Sequence, residues 1–345
     1  MVEEYQYNTD YEIIKEEKKI GTSILTKKYT YPFDFKSSLN LTSAPGKMVN
    51  KNMNNYILET ISLKDSLVID ATFTNYRFNG ANIVKDYELK LAISDAINDF
   101  KPIKWNYGPS EFDCDSRYDT IISYNLYDQH GRLLEFRELK NEPVTILWSD
   151  RFSNSPVAKI TNAKFKEVAY SSFETDNISF DMNYGNWKFV YGPEWDLSDV
   201  YKTGEFSANS IYTRSPIITY NIIPVGKYII SCWSSGGGIK FPFDAIPNTF
   251  YKGEWYYSEA LIDNKTPQKL QIILSNAGRI DELRLYPWDA EMETYSYNRL
   301  NQLTSKSQNN LQLLQYLYDP SSRLIIEKDH NSYIRKHMLY QISNN

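Results

Sequence analysis

Apolar and polar residues alternate in short runs along most of this chain, and the runs are closed by Gly, Pro, Asn, Asp or Ser. That pattern predicts strands joined by turns. Residues 22–31 alternate and Pro32 ends them. Residues 56–63 and 67–78 predict a hairpin across Lys64-Asp65-Ser66. Residues 118–127, 132–138 and 145–149 predict three more strands, and weaker signals lie at 87–93 and 101–107. Three places break the pattern: 37–46 is a Ser/Asn/Thr-rich loop closing on Pro45-Gly46, 48–55 has the texture of a short helix, and 92–100 has mixed helical spacing. The charged run 13–19 predicts a helix turn or a solvated strand edge, and 162–169 a short helix or an edge segment.

From about residue 174 the texture changes. Runs at 217–222, 227–232, 255–261, 270–274 and 280–286 are separated by turns at Tyr191-Gly192-Pro193, Pro224-Val225-Gly226, 234–238 and Asn276-Ala277-Gly278. Short strands with a turn signal every ten residues or so describe a two-sheet sandwich, and its texture resembles a jelly-roll module of the carbohydrate-binding type. It is assigned to 174–288, between a β-rich region at 1–173 and a tail at 289–345.

The tail repeats itself. Tyr297-Asn298 leads five residues later into Gln302-Leu303-Thr304, and Tyr318-Asp319 leads at the same distance into Arg323-Leu324-Ile325, an offset of 21 residues. Tyr340 stands where a further unit would open. A fixed period of this size marks a repeat architecture whose units bury their apolar faces on one another. Asp319-Pro320-Ser321-Ser322 and Asp329-His330-Asn331-Ser332 are turns, because Asp, Asn and Ser bond the local backbone. A sharper copy, Tyr127-Asp128-Gln129-His130-Gly131-Arg132-Leu133, lies in the unit 118–149, where Tyr127 to Trp148 also spans 21 residues.

These residues resemble the Y-D-x-x-G-R-L signature of the YD-repeat (RHS-type) proteins. The wider chain is similar to a group of large, uncharacterised Bacteroidetes surface proteins, on stretches such as Ile146-Leu147-Trp148, Pro156-Val157-Ala158-Lys159-Ile160 and Ile280-Asp281-Glu282-Leu283-Arg284-Leu285-Tyr286-Pro287. The resemblance implies an all-β fold of antiparallel YD-repeat hairpin sheets plus the sandwich. It also implies an exported protein at the extracellular or outer-membrane surface, handled by export machinery. Tyr127, Asp128, Gly131, Arg132, Tyr297, Asn298, Tyr318, Asp319 and Arg323 are then structural. Asn301 and Ser322 stand where the family has Gly; Asn tolerates a left-handed turn, whereas Ser costs something there.

Composition narrows the function. Tyr (29) is twice as common as Gly or Pro (14 each), which suits half-buried pleated surfaces, and 41% apolar with 23% charged residues describes a folded chain. A net charge of −5 offers no basic footprint for nucleic acid. No apolar run approaches the ~18 residues that cross a bilayer, and residues 1–19 are too polar for a secretory signal. Cys114 and Cys232, far apart and without metal-ligand spacing, are expected to be inert core thiols rather than a pair. His130, His330 and His337 form no ligand motif, Gly236-Gly237-Gly238 lacks the Lys-Ser/Thr of a phosphate loop, and no cofactor is implied. The acids Glu111, Asp113, Asp115 and Asp119 describe a solvated loop rather than a calcium site, given Arg117 and the missing turn Gly.

Catalysis is not expected. Glu194, Asp196 and Asp199 are the acids a glycan-cleaving alternative would use, in a polar loop beside Trp195. What remains is aromatic: Trp187, Trp195, Trp233, Trp255 and Tyr257 form a candidate platform for a polysaccharide, set against the reading that each is sandwich core. Alternation places Trp255 and Tyr257 on one face and Tyr256 on the other, with one face wet. The leading expectation is a non-enzymatic scaffold displaying a sandwich for a glycan or a surface protein; the others are a glycan-cleaving enzyme, or a fragment of a toxin shell or secretion cargo.

Overall fold

Short turns between alternating runs leave each strand antiparallel to the next. The computed structural model describes residues 2–35, 43–105, 112–138, 142–174, 183–189, 197–198, 200–209, 216–236, 239, 241, 248–252, 254–273, 278–308, 312–329 and 331–340. The fold is all β with antiparallel sheets, and the chain divides into Met1–Asn141 and Glu142–Asn345. The unit 118–149 straddles that division.

In the first unit Val2–Tyr7, Ile13–Ile20, Ser23–Thr30, Glu59–Lys64, Leu67–Asn79, Asn82–Leu91, Tyr118–Tyr127 and Leu133–Glu138 follow one another as an antiparallel meander. The charged run is therefore a strand paired on both sides, not an edge. Asp65 and Ser66 take φ of 49° and 72°, the two left-handed positions of a tight hairpin turn. The helix is Ala44–Asn50, earlier than its sequence texture. Ser43 Oγ accepts the Gly46 N–H at 3.2 Å, with Pro45 in the first turn where its missing N–H is harmless. Residues 92–100 form no helix; Ile97 makes an isolated bridge to Val68. Met48 of the helix packs with Leu58, Phe73, Tyr76, Leu89 and Ile103 in the main apolar cluster of this unit.

In the second unit Pro143–Trp148, Pro156–Thr161, Glu291–Tyr297, Leu303–Ser307, Leu313–Tyr318, Leu324–Lys328 and Ile334–His337 pair in that order. Thr161 lies opposite Glu291, so everything between them is an insertion into one continuous hairpin sheet. The insertion opens with a 3-10 turn, Phe165–Glu167, and a strand, Ala169–Ser171. Its larger sheet centres on Arg279–Pro287, Gly226–Ser234 and Trp255–Asn264, and its smaller one on Trp187–Phe189, Ile217–Thr219 and Gln271–Ile272. Ile230, Cys232, Ala260, Ile262, Leu283 and Leu285 meet Trp187, Ile217 and Ile272 in a buried core. A second cluster, with Leu147, Ile160 and Met292 from the hairpin sheet and Tyr170 and Tyr286 from the sandwich, joins the two.

Candidate functional site

The repeat turns come first, since they carry the sharpest sequence signal. Asp128 Oδ1 accepts the N–H groups of His130 and Arg132 at 2.8 and 2.9 Å. Asn298 does the same for Leu300 and Gln302 at 3.0 and 2.9 Å, and Asp319 for Ser321 and Arg323 at 2.9 Å each. The fourth residue of each turn is left-handed, at φ 81° for Gly131, 60° for Asn301 and 66° for Ser322. Ser322 thus holds the Gly position despite its Cβ. Arg132 and Arg323 close the turn on the other carboxylate oxygen, Nε to Oδ2 at 2.6 and 2.8 Å. The Asp319 carboxyl is held below its usual range by the Arg323 N–H and then by the guanidinium.

Two further turns have the same geometry. Asp329 accepts Asn331 and Tyr333 at 2.8 and 3.0 Å with Ser332 at φ 65°, and Asn8 accepts Asp10 and Glu12 at 2.9 Å each with Tyr11 at φ 63°. The Asn8 turn escaped the sequence pattern, because a bulky Tyr sits where Gly is expected; Tyr7-Asn8, the same pair as Tyr297-Asn298, was the available signal. The repeat Tyr also has a fixed task. Tyr127, Tyr297 and Tyr318 donate their hydroxyls to backbone carbonyls of Lys85, Pro156 and Leu303 at 2.8, 2.8 and 2.9 Å. Tyr340 donates to Leu324 at 2.8 Å, and Leu324 is one period after Leu303. In these turns the motif Asp and Asn oxygens are used up on local N–H groups, which is an architectural arrangement.

A buried polar joint ties the sandwich to the hairpin sheet. It is built on a bulge in Arg279–Pro287: Ser231 faces Arg284 and Trp233 faces Asp281, leaving Glu282 and Leu283 opposite Cys232, with Glu282 at φ 53°. The bulge breaks the alternation and turns carboxylates into the protein. Glu282 and Arg284, each 2% exposed, form an ion pair. Arg284 Nη2 also donates to Thr294 Oγ1 and Ser307 Oγ at 3.0 and 2.9 Å, both on the hairpin sheet. Glu282 accepts the hydroxyls of Tyr170, Thr203 and Thr294 at 2.7, 2.9 and 2.9 Å. Asp281 accepts the N–H groups of Lys202 and Thr203 at 2.8 and 2.9 Å; burial, then the Glu282 charge, push its carboxyl well above the usual range. Three charged residues among Ile280, Leu283, Leu285 and Tyr286 were the sequence signal for this joint.

Among the described residues, the aromatic side chains proposed as a platform do not form a solvent-facing surface. Trp187 is fully buried in the sandwich core, its indole N–H donating to the Leu283 carbonyl at 3.2 Å. Trp233, Trp255 and Tyr257 gather into one cluster on the side opposite the core residues Cys232, Ala260 and Ile262, as alternation requires. That side is closed as well: the three rings keep 6%, 5% and 4% of their surface, and Lys202 Nζ sits 4.4 Å above Trp233. Trp195 lies outside the described residues, as do Glu194, Asp196, Asp199, Glu111, Gly237, Gly238 and His330. His130 stands on an exposed turn beside Gln129, and His337 is exposed on the last strand.

The acidic loop is less solvated than its composition implied. Asp115 is 2% exposed, paired with Arg117 at 2.8 Å and accepting the Lys101 N–H at 3.0 Å; Arg117, then the burial it overcomes, sets a carboxyl held far below its usual range. Cys114 is half-buried and Cys232 buried, and both are free thiols; burial raises Cys232 well above a reactive range. Glu59, 1% exposed, accepts the Tyr118 hydroxyl at 2.9 Å, and burial pushes its carboxyl up to about 7. Among the described residues no helix is long and apolar enough to cross a membrane.

The architecture thus defined is an antiparallel hairpin sheet with repeated Asx-stapled turns and an inserted β-sandwich. No family model matches the chain, and no curated protein matches it. Among solved structures, the crystal structure of TcdB2-TccC3-Cdc42 aligns with 98% of this chain and 17% of its own, at 10% identity and a TM-score of 0.21. That of TcdB2-TccC3 aligns with 94% and 21%, at 8% identity and a TM-score of 0.20. The Photorhabdus luminescens Tc holotoxin pore with the TccC3-D651A mutation aligns with 95% and 18%, at 10% identity and a TM-score of 0.18. These are weak likenesses, and the chain spans about a fifth of the length of those it matches.

Proposed function

We propose that this chain is a non-enzymatic scaffold of YD-repeat (RHS-like) type, whose hairpin sheet holds the inserted sandwich rigidly for a protein partner at an exported or surface location. The observation that carries the proposal is the joint. Arg284 donates across from the sandwich to Thr294 and Ser307 of the hairpin sheet, inside a region where both charges of its ion pair are 2% exposed. A module on a flexible tether would expose those groups to water; here they are desolvated and satisfied only when the two parts are docked. The repeated turns support the same reading, since five Asp or Asn side chains are committed to backbone N–H groups. A protein partner fits better than a glycan, because Trp187, Trp233, Trp255 and Tyr257 are buried.

Hydrogen exchange tests the proposal. Amides of Arg279–Pro287 and Glu291–Tyr297 should open together at one free energy, and no polysaccharide should be turned over by the purified chain. Independent opening of the sandwich, or a turnover abolished by one carboxylate substitution, would overturn it. Cell fractionation checks the location.

A further inference from the structure

We propose that one end of the sandwich docks on an anionic lipid surface. Two loops cross between its sheets there: residues 220–225 lead from Ile217–Thr219 to Gly226–Ser234, and residues 265–270 lead from Trp255–Asn264 to Gln271–Ile272. Hydrogen bonds stitch the loops together. Ile223 and Gln268 exchange N–H···O bonds at 2.8 and 3.1 Å. Asn264 Nδ2 donates to the carbonyls of Ile223 and Pro224 at 3.0 and 2.7 Å, and Gln268 Nε2 donates to Asn264 Oδ1 at 2.8 Å.

That frame fixes which side chains face water. Ile223 is buried, whereas Tyr220, Ile222 and Val225 keep 49%, 58% and 59% of their surface exposed. Three large apolar groups within six residues form a patch, unlike the scattered exposure that is normal on a soluble surface. The charges around the patch are mostly of one sign. Lys227, Lys265 and Lys269 are exposed, and Lys269 Nζ lies 5.9 Å from the centre of the Tyr220 ring. Within 217–227 and 261–272 the sole acid is Asp263, which pairs with Lys265 and stands opposite Lys227 in the ladder. Three lysines against one aspartate leave a charge of +2.

An apolar tip inside a cationic rim matches the boundary of an anionic bilayer. Ile222 and Val225 enter the acyl region, the lysines meet headgroup phosphates, and Tyr220 spans the two with an apolar ring and a polar hydroxyl. Lipid receives such projecting side chains without a matching pocket, which an acidic protein would have to supply. The loops are already ordered, so little freedom is lost on contact. This inference does not rest on the scaffold reading, which hydrogen exchange across the joint tests separately.

Co-sedimentation of the full chain with vesicles is the test. Phosphatidylcholine vesicles containing about 30% phosphatidylglycerol should retain the chain, pure phosphatidylcholine should retain far less, and added salt should release it. Inorganic phosphate should release no more than chloride at equal ionic strength, which separates a lipid surface from a free-phosphate site. Ile222→Asp with Val225→Asp should weaken binding about tenfold or more, as should Lys265→Glu with Lys269→Glu. Both pairs are exposed, and circular dichroism confirms that the variants fold. Leu300→Asp, on an exposed repeat turn, should leave binding unchanged. No retention on anionic vesicles overturns the proposal, as does retention that neither loop variant alters or that Leu300→Asp alters equally. Binding to immobilised polyglutamate without binding to vesicles would assign the loops to an acidic protein and overturn it too.

Discussion

Removing Arg284 should show how strongly the sandwich depends on its joint. In Arg284→Ala the Glu282 carboxylate keeps the hydroxyls of Tyr170, Thr203 and Thr294 but loses its cation, at a site 2% exposed. Breaking a buried ion pair from one side costs about 3–5 kcal/mol, most of it the penalty of the stranded charge. For a unit of this size that lowers the unfolding midpoint by roughly 10 °C. The assay is thermal and chemical denaturation followed by tryptophan fluorescence, since Trp148, Trp187, Trp233 and Trp255 lie in the affected unit. The double variant Glu282→Leu with Arg284→Met removes both charges and should cost no more than the single variant, leaving hydroxyls without an acceptor, at roughly 1 kcal/mol each. The coupling between the two positions should therefore exceed about 1 kcal/mol. A single variant costing under about 1 kcal/mol, or two effects that simply add, would refute the idea that this pair locks sandwich to sheet.

Three other outcomes follow from the geometry. Burial raises Glu59 to about 7 from an ordinary 4.5, so the native state binds the extra proton between those values. The contribution of Glu59 to the stability of the first unit should be fully present below pH 4.5 and fall by roughly 3 kcal/mol as pH rises through 7; Glu59→Gln should flatten this profile in urea titrations at pH 5 and pH 8, and an unchanged slope would count against it. Gly185 has φ 53°, and a Cβ there would lie 1.9 Å from the Tyr170 carbonyl, so Gly185→Ala should cost at least about 2 kcal/mol by denaturation, more than an exposed helix substitution. Ser322 sits at φ 66° in a Gly position, so Ser322→Gly should stabilise the tail by up to about 1 kcal/mol, whereas Ser332→Ala should not.

The amino-acid sequence by itself determined the strands and the turns that divide them. An Asp or Asn oxygen reaches N–H groups two and four residues on whatever lies elsewhere in the chain, so Asp128, Asn298 and Asp319 could be recognised from their neighbours. The same locality explains why Asn8 was missed, since Tyr11 takes a conformation that its own chemistry disfavours and the strands around it must impose. Burial was decided only by tertiary structure. Alternation put Trp255 and Tyr257 together on one side of a strand, but whether that side meets water depends on what packs across it. Asp281, Glu282 and Arg284 had the composition of a solvated strand; a bulge and the strands that carry Thr294 and Ser307 made them a dry joint. The cost of desolvating a charge depends on its whole surroundings, and no window of sequence contains those.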